Sequence, residues 1–552
     1  MSTAAATPAD PTRHFAFWPK RQPRELDTPD TSLWANLDIT HRRYADRPAF
    51  VFFDRVISYR ELFSSVEKLA GWLQQVAGVK KGDRVALCLQ NSPQFVIAYY
   101  AVLRADAVVV PVNPMNKAAE LTHYITDPVA RVAIVGSDLA AAWIAANQEV
   151  AATKPDMALQ HLLVTRYCDE MSNGALPAGG FPDAWRAWLD LAVDMPTYAT
   201  AWRDAMGAGL TASAPIAGPD DLAVLPYTSG TTGLPKGCMH THRTIMHNVV
   251  SGAVWANGSS AVVSLAVVPM FHITGMLYGL HVPIYLGSCA VIMPRWDRDV
   301  AGRLISTYKV TSWTMVPTMM IDLLASPNVA QYDLSSLQYI GGGGAAMPQA
   351  VAQKLLDQFG LKFVEGYGLT ETAAPSHSNP PDAPKQQCLG VPYVGTDSRV
   401  VNPDTLAPCA IGESGEIVIH GPQVFKGYWQ NRSDSTVDSY LRNAAGEAVY
   451  SGIVSIDGQK YTLGTLFAPS QRQEAHLSNA LTLAKRGEPV EPPRALRLGC
   501  VSLRTSGVLS RQAAALRCAG SAPARRGRRR RWRCRWRSIW GGRGARSAAP
   551  RA

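Results

Sequence analysis

The sequence predicts an α/β fold whose parallel sheets are built from β-α-β units, followed by a small β-barrel. Short apolar runs alternate with stretches of helical periodicity from about residue 30 to about residue 375. From about 390 to 430 the apolar runs are shorter and are separated by Gly and Pro turns, which predicts a small antiparallel sheet or barrel. Hydrophobic residues make up 47% of the 552 residues and charged residues 18%, which is typical of a large globular protein and not of a disordered or fibrous one.

The elements can be assigned in chain order from residue 58. Ser58 and Glu61 form a capping box, and apolar residues then recur at helical spacing, so a helix is predicted over 58–76. The next stretches read as strand, helix, strand, helix and strand: GDRVALCL, SPQFVIAYYAVLRA, AVVVPVN, AAELTHYITD and RVAIVG. Residues 168–220, rich in Ala, Gly and Pro, predict a surface excursion or a joint between subdomains. The β-α-β pattern resumes with DLAVLPYTSG.

Charge patterning argues against a nucleic-acid partner and against a membrane span. Residues 521–552 hold twelve Arg and no Asp, Glu or Lys, so this segment accounts for the net charge of +11 and the rest of the chain is close to neutral. We therefore expect no specific nucleic-acid partner. Residues 244–294 carry no formal charge, but Pro, Gly and His interrupt them, so we expect a buried strand, helix and strand.

Cysteine usage and the N-terminal residues indicate a cytoplasmic protein. The nine Cys include no CxxC pair, so neither a zinc site nor a redox motif is predicted. The first fifteen residues lack the apolar run of a secretory leader. Reduced thiols in a cytoplasm are the simpler interpretation.

Residues 227–237, YTSGTTGLPKG, predict an anion-binding loop. Gly230 and Gly233 free the backbone to form a nest of amides. Hydroxyl side chains add further donors: Thr228, Ser229, Thr231 and Thr232. An apolar strand before the loop and the helical stretch HRTIMHNVV after it predict a strand-to-helix turn, where phosphates bind well. The spacing differs from G-x-x-x-x-G-K-[ST], since Pro235 stands where the second Gly is required; the alternative is a turn without a ligand.

This loop resembles the signature loop of the adenylate-forming superfamily, which includes acyl-CoA synthetases, luciferases and peptide-synthetase adenylation domains. EGYGLTET, residues 365–372, is similar to the second core motif of that family. Three further stretches follow its patterns: PMFHITG (269–275), GGGGAAMP (341–348) and GEIVIHGPQVFKGYW (415–429). The resemblance covers roughly residues 40–440. It implies a large adenylate-forming domain over 31–440, after a loose lead of residues 1–30.

The resemblance implies a role for each matching residue. The phosphates of ATP would be held by the loop and a nearby lysine: Thr228, Ser229, Gly230, Thr231, Thr232, Gly233 and Lys236. The adenine would be lined by Gly343, Gly344 and Ala345, with Tyr367 stacked on it. Gly366 and Gly368, on either side of the tyrosine, would also belong to the cofactor-binding residues. Thr370 and Glu371 would sit at the phosphates, with Glu371 as the Mg²⁺ ligand, because a carboxylate shared with phosphate oxygens commonly holds this ion. His272 would flank the carboxylate pocket, although a core role is equally compatible with its apolar surroundings.

The implied reaction is that of an ATP-dependent acyl-CoA ligase. A carboxylate attacks the α-phosphate of ATP to give an acyl-adenylate and pyrophosphate, and coenzyme A then displaces AMP. The stretch GMLYGLHVP with Trp313, Met315, Met319 and Met320 favours an apolar tunnel for a medium- or long-chain fatty acid, with ordinary core packing as the alternative. An aryl or other small carboxylate, and a non-catalytic nucleotide-binding remnant, stay open as alternatives.

The family pattern stops near residue 440. The resemblance implies a Thr-Gly-Asp motif and a C-terminal domain with a catalytic Lys, but Ile453 or Thr465 stands where the Asp is expected. Residues 441–552 are predicted to be a disordered Arg-rich tail outside the family, with the composition of GC-rich DNA read out of frame, so we expect impaired activity. The spacing of Trp532, Trp536 and Trp540 leaves open a weak contact of this tail with a membrane surface or nucleic acid.

Overall fold

The structure is a computed structural model, and it describes residues 12–228, 234–402, 405, 407–431, 453–456 and 459–464. The α-helices found there are α1 (Trp34–Tyr44), α2 (Tyr59–Gln75), α3 (Pro93–Arg104), α4 (Ala118–Thr126), α5 (Ser137–Thr153), α6 (Arg186–Leu189), α7 (Trp202–Gly207), α8 (His242–Trp255), α9 (Ile273–Met276), α10 (Val282–Leu286), α11 (Arg298–Tyr308), α12 (Pro317–Leu324) and α13 (Gln349–Phe359). A π-helical turn, Leu277–His281, joins α9 to α10.

The strands of the same residues are β1 (Pro48–Phe52), β2 (Arg55–Ser58), β3 (Arg84–Cys88), β4 (Val108–Pro111), β5 (Val132–Gly136), β6 (His161–Thr165), β7 (Ala199–Ala201), β8 (Leu222–Val224), β9 (Tyr227–Thr228), β10 (Lys236–Gly237), β11 (His240–Thr241), β12 (Val263–Ala266), β13 (Cys289–Ile292), β14 (Ser312–Met315), β15 (Tyr339–Gly342), β16 (Phe363–Leu369), β17 (Ala374–Ser378), β18 (Val391–Pro392), β19 (Asp397–Val401), β20 (Glu416–His420), β21 (Ile453–Ile456) and β22 (Gln459–Gly464).

A seven-stranded sheet contains the first predicted β-α-β units. Its order is β11-β8-β4-β3-β5-β6-β7, parallel throughout except for β11 at one edge. The five stretches from GDRVALCL to RVAIVG form β3, α3, β4, α4 and β5, as predicted. The predicted capping box is also present, since the Ser58 side chain accepts a hydrogen bond from the Glu61 backbone and the Glu61 carboxylate accepts one from Ser58.

A nine-stranded sheet of order β18-β17-β16-β15-β14-β12-β13-β1-β2 is the other large sheet of the described residues. Its six central strands, β16 to β1 in that order, are parallel, and the strands at both edges are antiparallel. The uncharged stretch 244–294 supplies α8, β12, α9, α10 and β13, which are largely buried, as expected. Within the described part of the chain, no helix is long and apolar enough to cross a membrane.

The stretch 168–220 is more integrated than the sequence suggests. β7 pairs with β6 as a strand of the seven-stranded sheet. Large apolar side chains of the stretch, Phe181, Trp185, Trp188 and Trp202, are buried in the main core. The prediction of a surface excursion is therefore wrong for these residues, because their burial outweighs the loop-like composition around them.

The small domain predicted after residue 390 is an open antiparallel sheet of order β19-β20-β22-β21. The predicted barrel is not formed by the residues described here, since β19 and β21 are the two edges and do not pair with each other. Residues 453–456 and 459–464, placed by the sequence in the tail, are two strands of this sheet. The rest of the predicted tail, with Thr465 and the three tryptophans, lies outside the described residues.

Candidate active site

A cavity of about 270 Å³ lies at the carboxyl edge of the nine-stranded sheet. Its walls include Val268 just after β12, Met315 at the end of β14, Gly342 at the end of β15 and Gly366 in β16. Ligands of α/β proteins commonly bind at this edge, outside the carboxyl ends of the parallel strands. The cavity is therefore the candidate active site.

Six of the residues implied by the resemblance line this cavity: His272, Gly343, Gly344, Gly366, Tyr367 and Gly368. They belong to three separate motifs, which the parallel strands bring to one place. Ala345 does not line the cavity and is exposed in the loop between β15 and α13.

Glycine is required where the chain after β15 meets β16. A Cβ atom on Gly343 would lie 2.4 Å from the carbonyl oxygen of Gly366. Gly344 follows with a φ of +83°, which residues with a Cβ rarely adopt. The phenol oxygen of Tyr367 is buried and has no hydrogen-bond partner among the residues described. A glycine wall and an aromatic ring with an unpaired hydroxyl fit a planar base such as adenine.

His272 faces the cavity from the turn after β12. Its Nδ1 atom accepts a long hydrogen bond, 3.4 Å, from the Thr274 backbone N–H and so caps α9. The imidazole is exposed to the cavity, yet the surrounding protein removes much of its hydration and lowers its pKa. Because Nδ1 accepts, the neutral ring carries its proton on Nε2, where it can donate to a carboxylate.

The Gly- and Thr-rich loop is carried by a β-hairpin in which Thr228 of β9 pairs with Lys236 of β10. The residues between them lie outside the described part of the chain: Ser229, Gly230, Thr231, Thr232 and Gly233. The predicted passage from strand directly to helix is wrong. β11 lies between the loop and α8, and the Thr241 side chain accepts a hydrogen bond from the first turn of α8. The frame for an anion at this loop is therefore a hairpin and not a helix N-terminus.

Thr370 and Glu371 lie in the turn that follows β16, next to the cavity lining but not part of it. The Thr370 carbonyl accepts a hydrogen bond of 2.7 Å from Nε2 of His240. The Glu371 carboxylate is half-buried, and its Oε1 accepts a hydrogen bond of 2.7 Å from the Tyr428 hydroxyl. Burial raises the pKa of Glu371, while the Tyr428 hydrogen bond and the charge of Lys236 oppose that effect.

Tyr428 also contacts the lysine of the hairpin. The Nζ atom of Lys236 lies 4.8 Å from the centroid of the Tyr428 ring, a cation–π contact. The sequence places Tyr428 in a family motif but assigns it no role, because a linear pattern does not show that this residue reaches Glu371. The KGYW run at the end of that motif is the one signal that could have drawn attention to it.

A second cavity, of about 450 Å³, adjoins the first. Four residues line both cavities: Val268, Tyr278, Thr314 and Tyr339. Small residues of α8 and of the π-helical turn, among them Gly252, Ala253, Ala256 and Gly279, form much of the second wall. The predicted tunnel residues Trp313, Met319 and Met320 line neither cavity, and Met315 lines the smaller one. Trp313 and Met320 are fully buried, so core packing is the correct interpretation for those two.

A family profile described as AMP-binding enzyme matches residues 37–429. The chain belongs to this family. It is 33% identical over 430 residues to a long-chain-fatty-acid–CoA ligase of Bacillus subtilis strain 168, covering 76% of this chain and 74% of that protein. It is 33% identical over 409 residues to a feruloyl-CoA synthase of an Amycolatopsis species, covering 73% and 72% of the two chains. ATP-bound MatB of Rhodopseudomonas palustris has a similar structure, with a TM-score of 0.61, 26% identity and coverage of 79% and 78%.

These matches confirm the predicted class, an AMP-forming acid–thiol ligase, and the α/β fold. AMP-binding enzymes use ATP and coenzyme A, as expected for the co-substrates. Among the described residues of this AMP-binding enzyme, no group of three or more His, Cys, Asp or Glu is arranged to hold a metal ion.

Proposed function

We propose that this AMP-binding enzyme activates a medium- or long-chain fatty acid with ATP and Mg²⁺ and transfers the acyl group to coenzyme A. The observation that carries the proposal is the pair of adjoining cavities at the carboxyl edge of the nine-stranded sheet. The smaller cavity has the glycine walls and tyrosine that suit a nucleotide base. The larger cavity offers room for an acyl chain, and it adjoins the smaller cavity through shared lining residues.

The nucleotide would span the two family motifs. Its base would occupy the smaller cavity between the Gly343 turn and Tyr367, which both line it. Its phosphates would extend toward the hairpin with Thr228 and Lys236 and toward Glu371, since the Tyr428 contacts bring Lys236 and Glu371 to one side chain. Mg²⁺ at Glu371 would supply charge neutralisation of the phosphate oxygens.

The acyl chain would extend into the larger cavity. Its wall combines glycines and alanines of α8 and the π-helical turn with Leu265, Val282 and Leu286. Glycine at 252 and 279 leaves space where any larger side chain would fill it. A cavity of this size, about 450 Å³, lies in the range that buries most of a small ligand.

In the first chemical step, His272 of the smaller cavity would hold the substrate carboxylate. The substrate carboxylate would accept a hydrogen bond from the neutral imidazole, which holds it for attack on the α-phosphorus. The carboxylate oxygen forms the new O–P bond as the bond to pyrophosphate breaks, and donors around the phosphates stabilise the departing charge. The protein mainly positions the reactants. Thioester formation is proposed to be weak, because the sequence lacks a recognisable ribose-binding Asp and catalytic Lys in residues 441–552.

An aryl acid is the second candidate substrate. It is favoured by the feruloyl-CoA synthase relative and by hydroxyl and amide groups along the larger cavity, including Ser312 and Gln338.

The cytoplasm is the proposed compartment. The six described cysteines are all free thiols, which supports a reducing environment.

Trapping of the acyl-adenylate with hydroxylamine tests the proposal. Fatty acids of increasing chain length and one hydroxycinnamic acid would be compared with ATP and Mg²⁺, with pyrophosphate release as a second readout. We expect a signal that peaks at a medium or long chain and falls by a factor of about 10²–10³ in Glu371→Gln. The matched control Glu149→Gln, an exposed change on α5, should keep the parent signal. A peak at the aryl acid selects the second candidate, and silence of the folded parent with every acid overturns both.

A further inference from the structure

A single side chain connects the two charged residues that the proposed function assigns to the phosphates. Tyr428 donates a hydrogen bond to Oε1 of Glu371 at 2.7 Å. The face of its ring holds the ammonium of Lys236 at 4.8 Å from the centroid. Lys236 and Glu371 stand 135 positions apart in the chain, and Tyr428 contacts both of them.

The backbone fixes Tyr428 in this position. Residue 428 forms an antiparallel bridge with Cys238, next to the hairpin. Met239 N–H donates to the Gly427 carbonyl at 3.0 Å, and the Phe425 N–H donates to the Glu371 carbonyl at 2.9 Å. The segment of residues 425–428 therefore pairs with the strand region after the hairpin and with the turn that carries Glu371. The ring of Phe425 packs edge-on against Tyr428, with centroids 4.9 Å apart.

Neighbouring contacts tie the same segment to the seven-stranded sheet side of the site. The indole N–H of Trp429 donates to the carbonyl of Asp127 at 3.0 Å. The hydroxyl of Tyr227, at the start of the hairpin, donates to the Asp127 carboxylate at 2.6 Å. Trp429, the residue after Tyr428, and Tyr227 of the hairpin thus share Asp127 as a hydrogen-bond partner.

From this geometry we propose that Tyr428 is a positioning residue for Mg²⁺-ATP. Its hydroxyl donates to Oε1 of Glu371 and would hold the orientation of the carboxylate that binds Mg²⁺. The face of its ring contacts the Lys236 ammonium, at the start of β10. The hydroxyl and the ring therefore have separable effects: the hydroxyl sets the dependence on Mg²⁺, and the ring sets the affinity for the phosphates themselves. This inference rests on the proposed function of Glu371 and Lys236.

Two substitutions separate these effects. Tyr428→Phe removes only the hydroxyl, and Tyr428→Leu removes the ring as well. ATP binding would be measured by calorimetry on the full chain, with Mg²⁺ titrated from zero to saturation, so that no turnover is required. For Tyr428→Phe we expect a half-saturating Mg²⁺ concentration raised by about 10-fold or more, since a hydrogen bond to a charged group is lost, with metal-free ATP affinity unchanged. For Tyr428→Leu we expect both quantities to weaken.

Tyr308→Phe is the matched control. The Tyr308 hydroxyl donates to the Phe53 carbonyl at 2.8 Å, so the control also loses one hydrogen-bonded hydroxyl. It should leave the Mg²⁺ dependence at the parent value even if its melting temperature falls as far as that of Tyr428→Phe. Mg²⁺ dependence in Tyr428→Phe that equals the parent, or tighter metal binding through release of Oε1, overturns the inference. Absence of ATP binding by the folded parent would instead overturn the proposed function.

Discussion

Gly343 lies so close to Gly366 that a Cβ atom on the first would stand 2.4 Å from the carbonyl oxygen of the second. Both residues line the smaller cavity, one just after β15 and the other in β16. The obstacle is backbone and not the end of a flexible side chain. Any side chain at 343 must therefore move one strand end relative to the other, and with it the wall of the proposed base site.

Gly343→Ala should weaken ATP binding. A shift of the order of 1 Å at a binding wall commonly has a large effect, and we expect an affinity at least about tenfold lower by calorimetry. Gly207→Ala is the control, because a Cβ atom at this position, the last residue of α7, meets nothing within 4 Å. Equal ATP affinity in Gly343→Ala and the parent would show that the base does not bind against this turn.

Gly252→Leu should shorten the preferred fatty acid. Gly252 lines the larger cavity, and a Cβ atom there would lie 3.3 Å from the Tyr278 ring and 3.4 Å from Val282, so a longer side chain must occupy the cavity. Each methylene of the fatty acid that no longer fits in the cavity should reduce the rate of adenylate trapping about fourfold, because the free energy of burying one CH₂ group is lost. The trapping assay over a chain-length series measures this.

Gly207→Leu is the control. In the same chain-length series it should prefer the same fatty acid as the parent, because a side chain at position 207 extends into open space. Melting temperatures of both variants would be recorded, and Gly252→Ala provides a milder change if Gly252→Leu folds poorly. An unchanged optimum in a folded Gly252→Leu would place the acyl chain somewhere other than the larger cavity.

Local signals in the sequence were sufficient for much of the fold. The capping box of Ser58 and Glu61 spans three residues, and it is present in the structure as predicted. The strand and helix series from β3 to β5 depends on periodicity within single stretches, and it was also correct. The hairpin that carries Thr228 was not predicted, because strands as short as β9 and β10 leave no periodic pattern.

Contacts between side chains that are far apart in the chain could not be predicted from the sequence. Tyr428 and Glu371 are 57 positions apart, and their contact depends on how the segment after β20 returns to the turn after β16. Trp313 and Met320 are apolar and close to predicted site strands, yet they pack in the core. The packing of the surrounding sheet decides which face of a strand or helix lines a cavity. Apolar composition alone does not distinguish that face from the one in the core.

His272→Ala should affect the acid and not the nucleotide. His272 lines the smaller cavity and is proposed to donate a hydrogen bond to the substrate carboxylate, so its removal should lower kcat/KM for the fatty acid by about 10- to 100-fold, the range for a hydrogen bond to a charged group. ATP affinity by calorimetry should stay at the parent value. A loss of ATP binding equal to the loss in kcat/KM would mean that the residue supports the nucleotide site instead. His161→Ala, at the start of β6, is the remote control.

Asp138→Asn should change how stability depends on pH. The carboxylate lies in the first turn of α5, 8% exposed, with Oδ2 3.3 Å from the Arg295 guanidinium. Burial outweighs that cation and raises the pKa of Asp138 to about 6. Between pH 4 and pH 6 the folded chain therefore keeps a proton that the unfolded chain has released. The stabilisation from this residue is full at low pH and is lost as the pH rises through 6.

An Asn at this position cannot lose a proton. The stability of Asp138→Asn relative to the parent should therefore increase as the pH rises. The difference in unfolding free energy between the two should move in favour of Asp138→Asn by about 2 kcal/mol from pH 4 to pH 7, the linkage value over that range for a pKa raised from about 4 to about 6. Urea unfolding at a series of pH values measures it. Asp156→Asn, at an exposed site, should show a difference that stays nearly constant. A constant or opposite trend for Asp138→Asn would mean that the Arg295 ion pair outweighs the cost of burial.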